Sequence, residues 1–414
     1  MRMFAEMTDK LLKELLRLAL HQRLRWGRLR LTLWDGTAER FGTSGDLLHA
    51  AVTDREVVQR MLTNASVAVG EAYMFDQLRI AEEDLPLFFE MVNRNTPKPS
   101  LQTRLVRREP NHERLQRRQI GVHYDLGNDY YDLVLGETGL YSCAYFEAEG
   151  DDLDTAQRQK IAHLIRKLEV QPRNSVLDIG CGWGYLAVEI AKQHPGVEVL
   201  GITLSKEQLK GARERAKREG VADRVSFELK GYQQLDGQFN RIISVGMFEH
   251  VGRKNHDDYF SQVARLLAER GVTVLHTITQ EEPWRPVSPW VAKWIFPGGD
   301  LPTIAQVEKG LGRHGLHSID RENLWEHYWF TLAEWYRRHK EHREEIIALL
   351  EGRVPGLAGE QAFRMRSFWY EGSMAGFAEH GRLGLNQWIA TKGKPRRGAW
   401  PRTRRYLYRS TETA

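Results

Sequence analysis

From Ser175 onward, short apolar runs alternate with stretches of helical spacing. Ser175-Val-Leu-Asp-Ile reads as a buried strand, Tyr185–Gln193 as a helix and Val197–Leu204 as the next strand. A charged helix over Lys206–Glu219 follows, then strands over Val225–Leu229, Arg241–Val245 and Val272–Ile278, with a helix around 257–269 between the last two. Strand–helix alternation of this kind predicts parallel strands joined by right-handed crossovers, hence a doubly wound sheet. Upstream the pattern differs. Residues 10–25 put Leu11, Leu12, Leu15, Leu16, Leu18 and Ala19 at helical spacing with Lys or Arg between them. Such a basic amphipathic helix turns its stripe to a core or lies on a membrane. Arg28–Trp34 alternates like a strand and ends in the turn signal Asp35-Gly36, and helical spacing returns around 53–63 and 84–94.

Two prolines in Asn93–Ser100 interrupt regular structure, and seven cations follow or flank them: Lys98, Arg104, Arg107, Arg108, Arg114, Arg117 and Arg118. This basic stretch reads as a linker. It divides the 414 residues into an N-terminal domain over 1–110, a candidate membrane or dimer module, and a catalytic domain over 111–414. The tail from Lys392 to Arg405 carries seven cations and no acid. It suits an anionic membrane surface or nucleic acid, or stays a solvated tail. Only Cys143 and Cys181 occur, so no disulfide framework or thiolate zinc cluster is expected, and a reducing cytosol is the natural compartment. No run approaches the roughly 20 apolar residues that cross a bilayer. Any lipid is met from the aqueous side, which predicts a cytoplasmic protein peripherally associated with the inner face of the membrane.

Asp178-Ile-Gly-Cys-Gly-Trp-Gly follows a strand and precedes a helix. Its glycines let the backbone turn tightly and bring amides to a ligand in front of the helix N-terminus. A dinucleotide fingerprint needs glycine at position 185, where Tyr185 stands. The G-x-G-x-G spacing is similar to the form class I methyltransferases use for S-adenosylmethionine; a tight structural turn is the plain alternative. The second strand ends without the acidic residue that usually holds ribose hydroxyls, leaving Gln208 for that work.

Five ordered segments resemble the cyclopropane-fatty-acid-phospholipid synthase family, which includes the mycolic acid cyclopropane synthases. They are His123-Tyr-Asp-Leu-Gly-Asn, Tyr141-Ser-Cys-Ala-Tyr-Phe, Val176–Gly184, Gly201-Ile-Thr-Leu-Ser-Lys-Glu-Gln and Ser244-Val-Gly-Met-Phe-Glu-His-Val-Gly. Leu275-His-Thr-Ile and Ile295–Pro302 add two more, and Gly70-Glu-Ala-Tyr-Met looks like the family's N-terminal domain. The resemblance implies an α/β class I methyltransferase fold, Rossmann-like with a mostly parallel doubly wound sheet, beside a smaller N-terminal α+β domain.

By the same resemblance, Tyr141, Ser142, Gly180, Gly182, Thr203, Leu204 and Gln208 would line the S-adenosylmethionine site, and Tyr232 would lie against the adenine. A bicarbonate ion would be held as base by the positions matching Cys143, Glu249, His276, Ile278 and Tyr328. Tyr328 is the loosest match, because His327-Tyr-Trp-Phe-Thr-Leu departs from the usual motif after the tyrosine. Methylating an alkene leaves a carbocation, and ring closure then needs a base near the transferred carbon. Glu249 would accept from the anion, while His276, Tyr328 and the backbone at Cys143 and Ile278 would donate.

Trp284, Trp290, Trp294, Phe296, Trp325, Tyr328, Trp329 and Phe330 would flank the acyl chain, or simply pack a core. The implied reaction is cyclopropanation of unsaturated acyl chains in membrane phospholipids, with methyl- or methylene-branched products as the alternative. A methyltransferase for a soluble small molecule, a nucleic-acid binder and an inactive lipid carrier are the rivals. No RNA-binding module is read, so nucleic acid is not an expected partner; a homodimer is one option for the N-terminal region.

Overall fold

The computed structural model describes residues 2–96, 126–398 and 400–408. The basic stretch 98–118, the 110/111 boundary and the His123–Asp125 part of the first motif lie outside the described residues. The chain forms two compact units. One holds 2–96 together with Val287–Pro297 and Leu332–Arg382; the other holds the described residues of 126–286, 298–331 and 383–408. The segments 287–297 and 332–382, which the sequence reading assigns after residue 110, thus pack in the first unit.

In the first unit, the helix Arg2–Arg23 precedes β1 (Gly27–Thr32), β2 (Ala38–Ser44) and β3 (Leu47–Val52). The helix Arg55–Met74, β4 (Leu78–Arg79) and the helix Leu85–Asn95 follow. The sheet order is β2-β1-β3-β4, with β1 antiparallel to β2 and parallel to β3. Leu12 and Leu16 of the first helix are buried, whereas Leu11, Leu15 and Leu18 are 61%, 45% and 57% exposed, so only two of these five leucines are core.

The Gly70-Glu-Ala-Tyr-Met segment has a packing reason. A side chain at Gly70 would come within 2.5 Å of the Trp290 indole, whose N–H points at the Met74 sulfur 3.3 Å away. Lys293 and the Trp294 indole both donate to Glu71. Trp290 also meets Phe368 edge-on at 5.1 Å. Two of the aromatics offered as an acyl wall, Trp290 and Trp294, are therefore tied into this unit's own helices.

The second unit carries a seven-stranded sheet. Its strands are β5 (Ser175–Ile179), β6 (Glu198–Thr203), β7 (Val225–Leu229), β8 (Phe239–Val245), β9 (Leu267–Gln280), β10 (Leu316–Asn323) and β11 (Leu383–Lys392), in the order β10-β11-β9-β8-β5-β6-β7. The strands β5 to β9 pair in parallel, and β11 runs antiparallel between β9 and β10. This is the mostly parallel doubly wound sheet of the class I methyltransferase fold.

Each face buries its own core. Ile161, Leu164, Leu186, Ile190 and Ile243 pack on one side; Leu177, Phe248, Phe260, Leu311 and Trp388 pack on the other. Local signals set the helix starts. Asp152 accepts the Thr155 amide at the head of Leu153–Leu168, Ser205 caps Lys206–Arg218, and Thr303 with Gln306 forms a capping box.

Candidate active site

The glycine turn sits between β5 and the helix Tyr185–Gln193, at the ends of the parallel strands where open sheets place ligands. Gly180, Gly182 and Gly184 have φ of 82°, 54° and 79°. A side chain at Gly180 would lie 2.8 Å from Met247, and one at Gly184 would lie 2.7 Å from Phe227, whereas one at Gly182 would meet nothing within 4 Å among the described residues. Two of these glycines permit close packing, and Gly182 keeps the cavity wall low. The Gly180 and Cys181 amides both donate to the Ile202 carbonyl, holding the turn against β6.

In front of the turn opens a cavity of about 1160 Å³, its mouth included. Tyr141, Ser142, Gly180, Gly182, Thr203, Leu204, Gln208 and Tyr232 all line it. The Thr203 hydroxyl donates to Gln208 Oε1 at 2.8 Å, leaving the amide NH2 as the free end of that side chain. Where a carboxylate usually accepts from ribose, this chain presents a neutral amide. Tyr232 is buried and meets Tyr259 edge-on at 5.3 Å. A deep glycine-floored cavity with an aromatic side wall fits an adenosyl group.

None of Cys143, Glu249, His276, Ile278 and Tyr328 is part of that wall. Glu249 follows β8 in a short 3-10 turn, Phe248–His250, and is buried. The Ile278 backbone N–H donates to its Oε1 at 2.7 Å, so that amide, expected to face a bound anion, is taken by the carboxylate instead. Desolvation drives this, since a buried carboxylate captures the nearest donor. Glu249 Oε2 has no partner among the described residues, and burial pushes the carboxyl up to about 7.

His276 lies two residues before Ile278 on β9, paired with Val245 on one side and Gln387 on the other. Its Nδ1 is 3.0 Å from the Gln387 amide nitrogen, and its Nε2 is buried without a partner among the described residues. Burial, then the charges of Lys160 and Lys167, hold its pKa well below the usual imidazole range, so the ring is neutral. Cys143 is buried, its thiol points at the Ala144 carbonyl 3.1 Å away, and burial raises its pKa; it is a thiol, not a thiolate. Tyr328 is half-buried one turn before Thr331, whose hydroxyl accepts the Ala144 amide at 2.9 Å. That contact brings the start of the helix Trp325–Glu341 to the Cys143 segment.

Sequence reasoning missed Lys160. It is fully buried on the helix Leu153–Leu168, lines the cavity and donates to the Ser142 hydroxyl at 2.8 Å. Burial pulls its pKa down to about 7 against the opposing pull of Cys143 and Asp178, and burial also raises the Asp178 carboxyl to about 7. His250, also in the wall, is held neutral by burial, its pKa lowered to about 4. A signal existed: Gln157, Lys160, His163 and Lys167 fall on one buried helical face. Polar groups there need partners, and each of these four side chains makes at least one hydrogen bond.

The family model described as mycolic acid cyclopropane synthetase matches residues 111–358. A "Probable fatty acid methyltransferase" of Pseudomonas putida is 32% identical over 381 residues, 88% of this chain and 92% of that one. The cyclopropane-fatty-acyl-phospholipid synthase of Escherichia coli (strain K12) is 38% identical over 304 residues, 69% of this chain and 75% of that one. Among solved structures, mycolic acid cyclopropane synthase CmaA1 complexed with SAH and CTAB superposes with a TM-score of 0.61 at 32% identity, over 67% of this chain and 98% of that one. The matched segment runs through the whole glycine turn and the cavity wall and includes both Glu249 and His276, and by it the chain belongs to the mycolic acid cyclopropane synthetase family.

Proposed function

We propose that this S-adenosylmethionine-dependent methyltransferase modifies the double bond of an unsaturated acyl chain in a membrane phospholipid and closes it to a cyclopropane, with bicarbonate as the base. When bound, S-adenosylmethionine supplies an electrophilic methyl carbon, and bicarbonate supplies a small oxygen base. One observation carries the reading: Glu249 Oε2, in the turn that follows β8, and His276 Nε2, on the adjacent β9, are buried polar atoms without partners among the described residues. Unpaired buried polar atoms are costly, and a small oxyanion bearing one hydroxyl satisfies an acceptor and a donor together.

The chain's own residues then have distinct tasks. The glycine turn and Tyr232 seat the adenosyl group, and Ser142, held by Lys160, helps form the inner wall. A Lys160 pKa near 7 limits the positive charge set beside a sulfonium and a developing carbocation. Glu249 and His276 fix the base by hydrogen bonds and need not take the proton themselves. The thiol of Cys143 stays protonated and forms no covalent link with substrate.

The test is expression in a host rich in unsaturated phospholipids, with proton NMR of the extracted lipids. Upfield cyclopropyl signals support the proposal; unaltered alkenes sink it. A second reading, methyl- or methylene-branched products, is favoured by the long match to a fatty acid methyltransferase and by the departing segment His327–Leu332. Branched chains without ring signals would select it.

The partner surface we assign is an anionic membrane. Among the described residues no helix is long and apolar enough to cross one. The basic tail is anchored: Leu407 is buried, Arg404 pairs with Asp320, and the Tyr408 hydroxyl donates to Glu322 at 3.2 Å. Lys394, Arg396, Arg397, Arg402 and Arg405 remain exposed.

A further inference from the structure

Behind His276 runs a buried polar chain that the proposed reaction does not use. Gln387 stands directly opposite His276 in the β9–β11 ladder, with its amide nitrogen 3.0 Å from His276 Nδ1. Its Oε1 accepts from Lys167 Nζ at 2.6 Å. Lys167 also donates to Glu322 Oε2, the same oxygen that lies 2.7 Å from His163 Nε2. Glu322 Oε1 accepts from the Tyr408 hydroxyl. Gln387 is fully buried and Lys167 is 1% exposed, so water does not compete for these bonds.

The chemistry of the donors settles the direction of each bond. A lysine ammonium has three donors and no acceptor, so the Gln387 group facing it is the oxygen. The amide NH2 therefore faces His276 and donates, and Nδ1 accepts. A neutral imidazole that accepts at Nδ1 carries its proton at Nε2. We infer that Lys167, through Gln387, locks His276 as the Nε2–H tautomer, making it a fixed hydrogen-bond donor toward the centre it shares with Glu249. Gln387 and Lys167 are positioning residues, and Glu322 holds Lys167 in place. The identity of what His276 donates to rests on the proposed function; the tautomer does not.

The amide-flip ambiguity of glutamine is removed here by the lysine, which makes the proposal testable one link at a time. The intact protein, labelled with 15N-histidine, is examined by long-range proton–nitrogen NMR, with the His276 signals assigned by their loss in His276→Asn. The expected pattern is a protonated Nε2 and an unprotonated Nδ1. Gln387→Glu replaces the donor by an acceptor and should move the proton to Nδ1. Lys167→Met should leave the Gln387 amide free to flip and give a mixture of tautomers. Thermal stabilisation by S-adenosylhomocysteine reports that each variant has folded.

A protonated Nδ1 in the unsubstituted protein overturns the inference. So does an unchanged tautomer in folded Gln387→Glu. If Gln387→Glu moves the proton and abolishes lipid modification, the lock and its use are both supported. If the proton moves while activity stays, the lock stands and the role given to His276 in the proposed function falls.

Discussion

Glu249 accepts the Ile278 backbone N–H with one carboxylate oxygen and holds the other buried without a partner among the described residues. The pair separates structure from chemistry. In Glu249→Gln the amide oxygen can keep the Ile278 contact, while the second atom becomes a donor instead of an acceptor. We expect S-adenosylhomocysteine binding within a few-fold of the unsubstituted protein. Lipid modification should drop by roughly 10²–10⁴, the span for a lost acid–base arrangement. Calorimetry and lipid NMR on one preparation check both halves.

The same carboxyl has a pH signature of two signs. Burial raises it from 4.5 to about 7, so the folded state keeps a proton that the unfolded chain has lost. Its contribution to stability is complete below about 4.5 and is lost as pH rises through about 7, a cost on the order of 3 kcal/mol. Asp178, raised from 3.8 to about 7, adds to the same slope. Activity runs the other way, because the centre needs an acceptor and gains one on ionisation. Melting temperatures and lipid turnover from pH 5 to 8 should therefore diverge, and Glu249→Gln should flatten the melting curve's decline. Parallel pH profiles for the two proteins would refute this account of Glu249.

Lys160→Met removes a buried amine and its bond to Ser142. Losing one such hydrogen bond is worth about 1 kcal/mol, or roughly fivefold in cofactor affinity. Stability should hold or rise, since a fully buried lysine is costly to ionise. Lys160→Arg should be worse, because guanidinium stays charged beside the sulfonium and needs more space. Isothermal titration with S-adenosylmethionine and S-adenosylhomocysteine tests the point: the arginine variant should discriminate against the cationic ligand more than against the neutral sulfide.

What the sequence revealed and what it hid divide along one line. The strands β5 to β9 and the helix Tyr185–Gln193 were legible because their apolar runs fill two-sided cores. The strand β11 was not, although it is paired on both sides. It carries Asn386 and Gln387 fully buried, and periodicity assumes that what is buried is apolar. The helix Leu153–Leu168 hides for the same reason, with Gln157, Lys160, His163 and Lys167 facing inward. These are the residues that reach Ser142, Gln387 and Glu322. Local rules fail where polar groups serve the site. Trp290 erred in the opposite sense: an aromatic-rich stretch suggested a substrate wall, and Gly70 turned it into core.

The three glycines of the turn should respond differently to alanine. Gly180→Ala and Gly184→Ala meet both a positive φ and a clash, with Met247 or with Phe227. Gly182→Ala meets only the left-handed backbone, a cost of roughly 1–2 kcal/mol. Melting temperature should therefore fall least for Gly182→Ala, while its cofactor affinity falls, because the added methyl enters the open side of the turn. Equal thermal losses at all three positions would contradict this division of roles.

The anchored tail gives a final prediction, concerning the membrane. Near an anionic surface each Lys or Arg contributes about 1 kcal/mol, so replacing Arg396, Arg397 and Arg402 by glutamate should weaken partition by roughly a hundredfold or more. The substitutions touch no residue of the cavity wall, and Arg404 keeps the tail on Asp320. Binding of the S-adenosylhomocysteine product should therefore stay unchanged, whereas sedimentation with vesicles containing phosphatidylglycerol should fall. Salt supplies the control. At an ionic strength near 1 M the screening length shrinks to about 3 Å, and the two proteins should then bind vesicles alike. Neutral phosphatidylcholine vesicles should not tell them apart at any salt. If the triple variant still sediments with anionic vesicles as the unsubstituted protein does, the tail is not the docking surface.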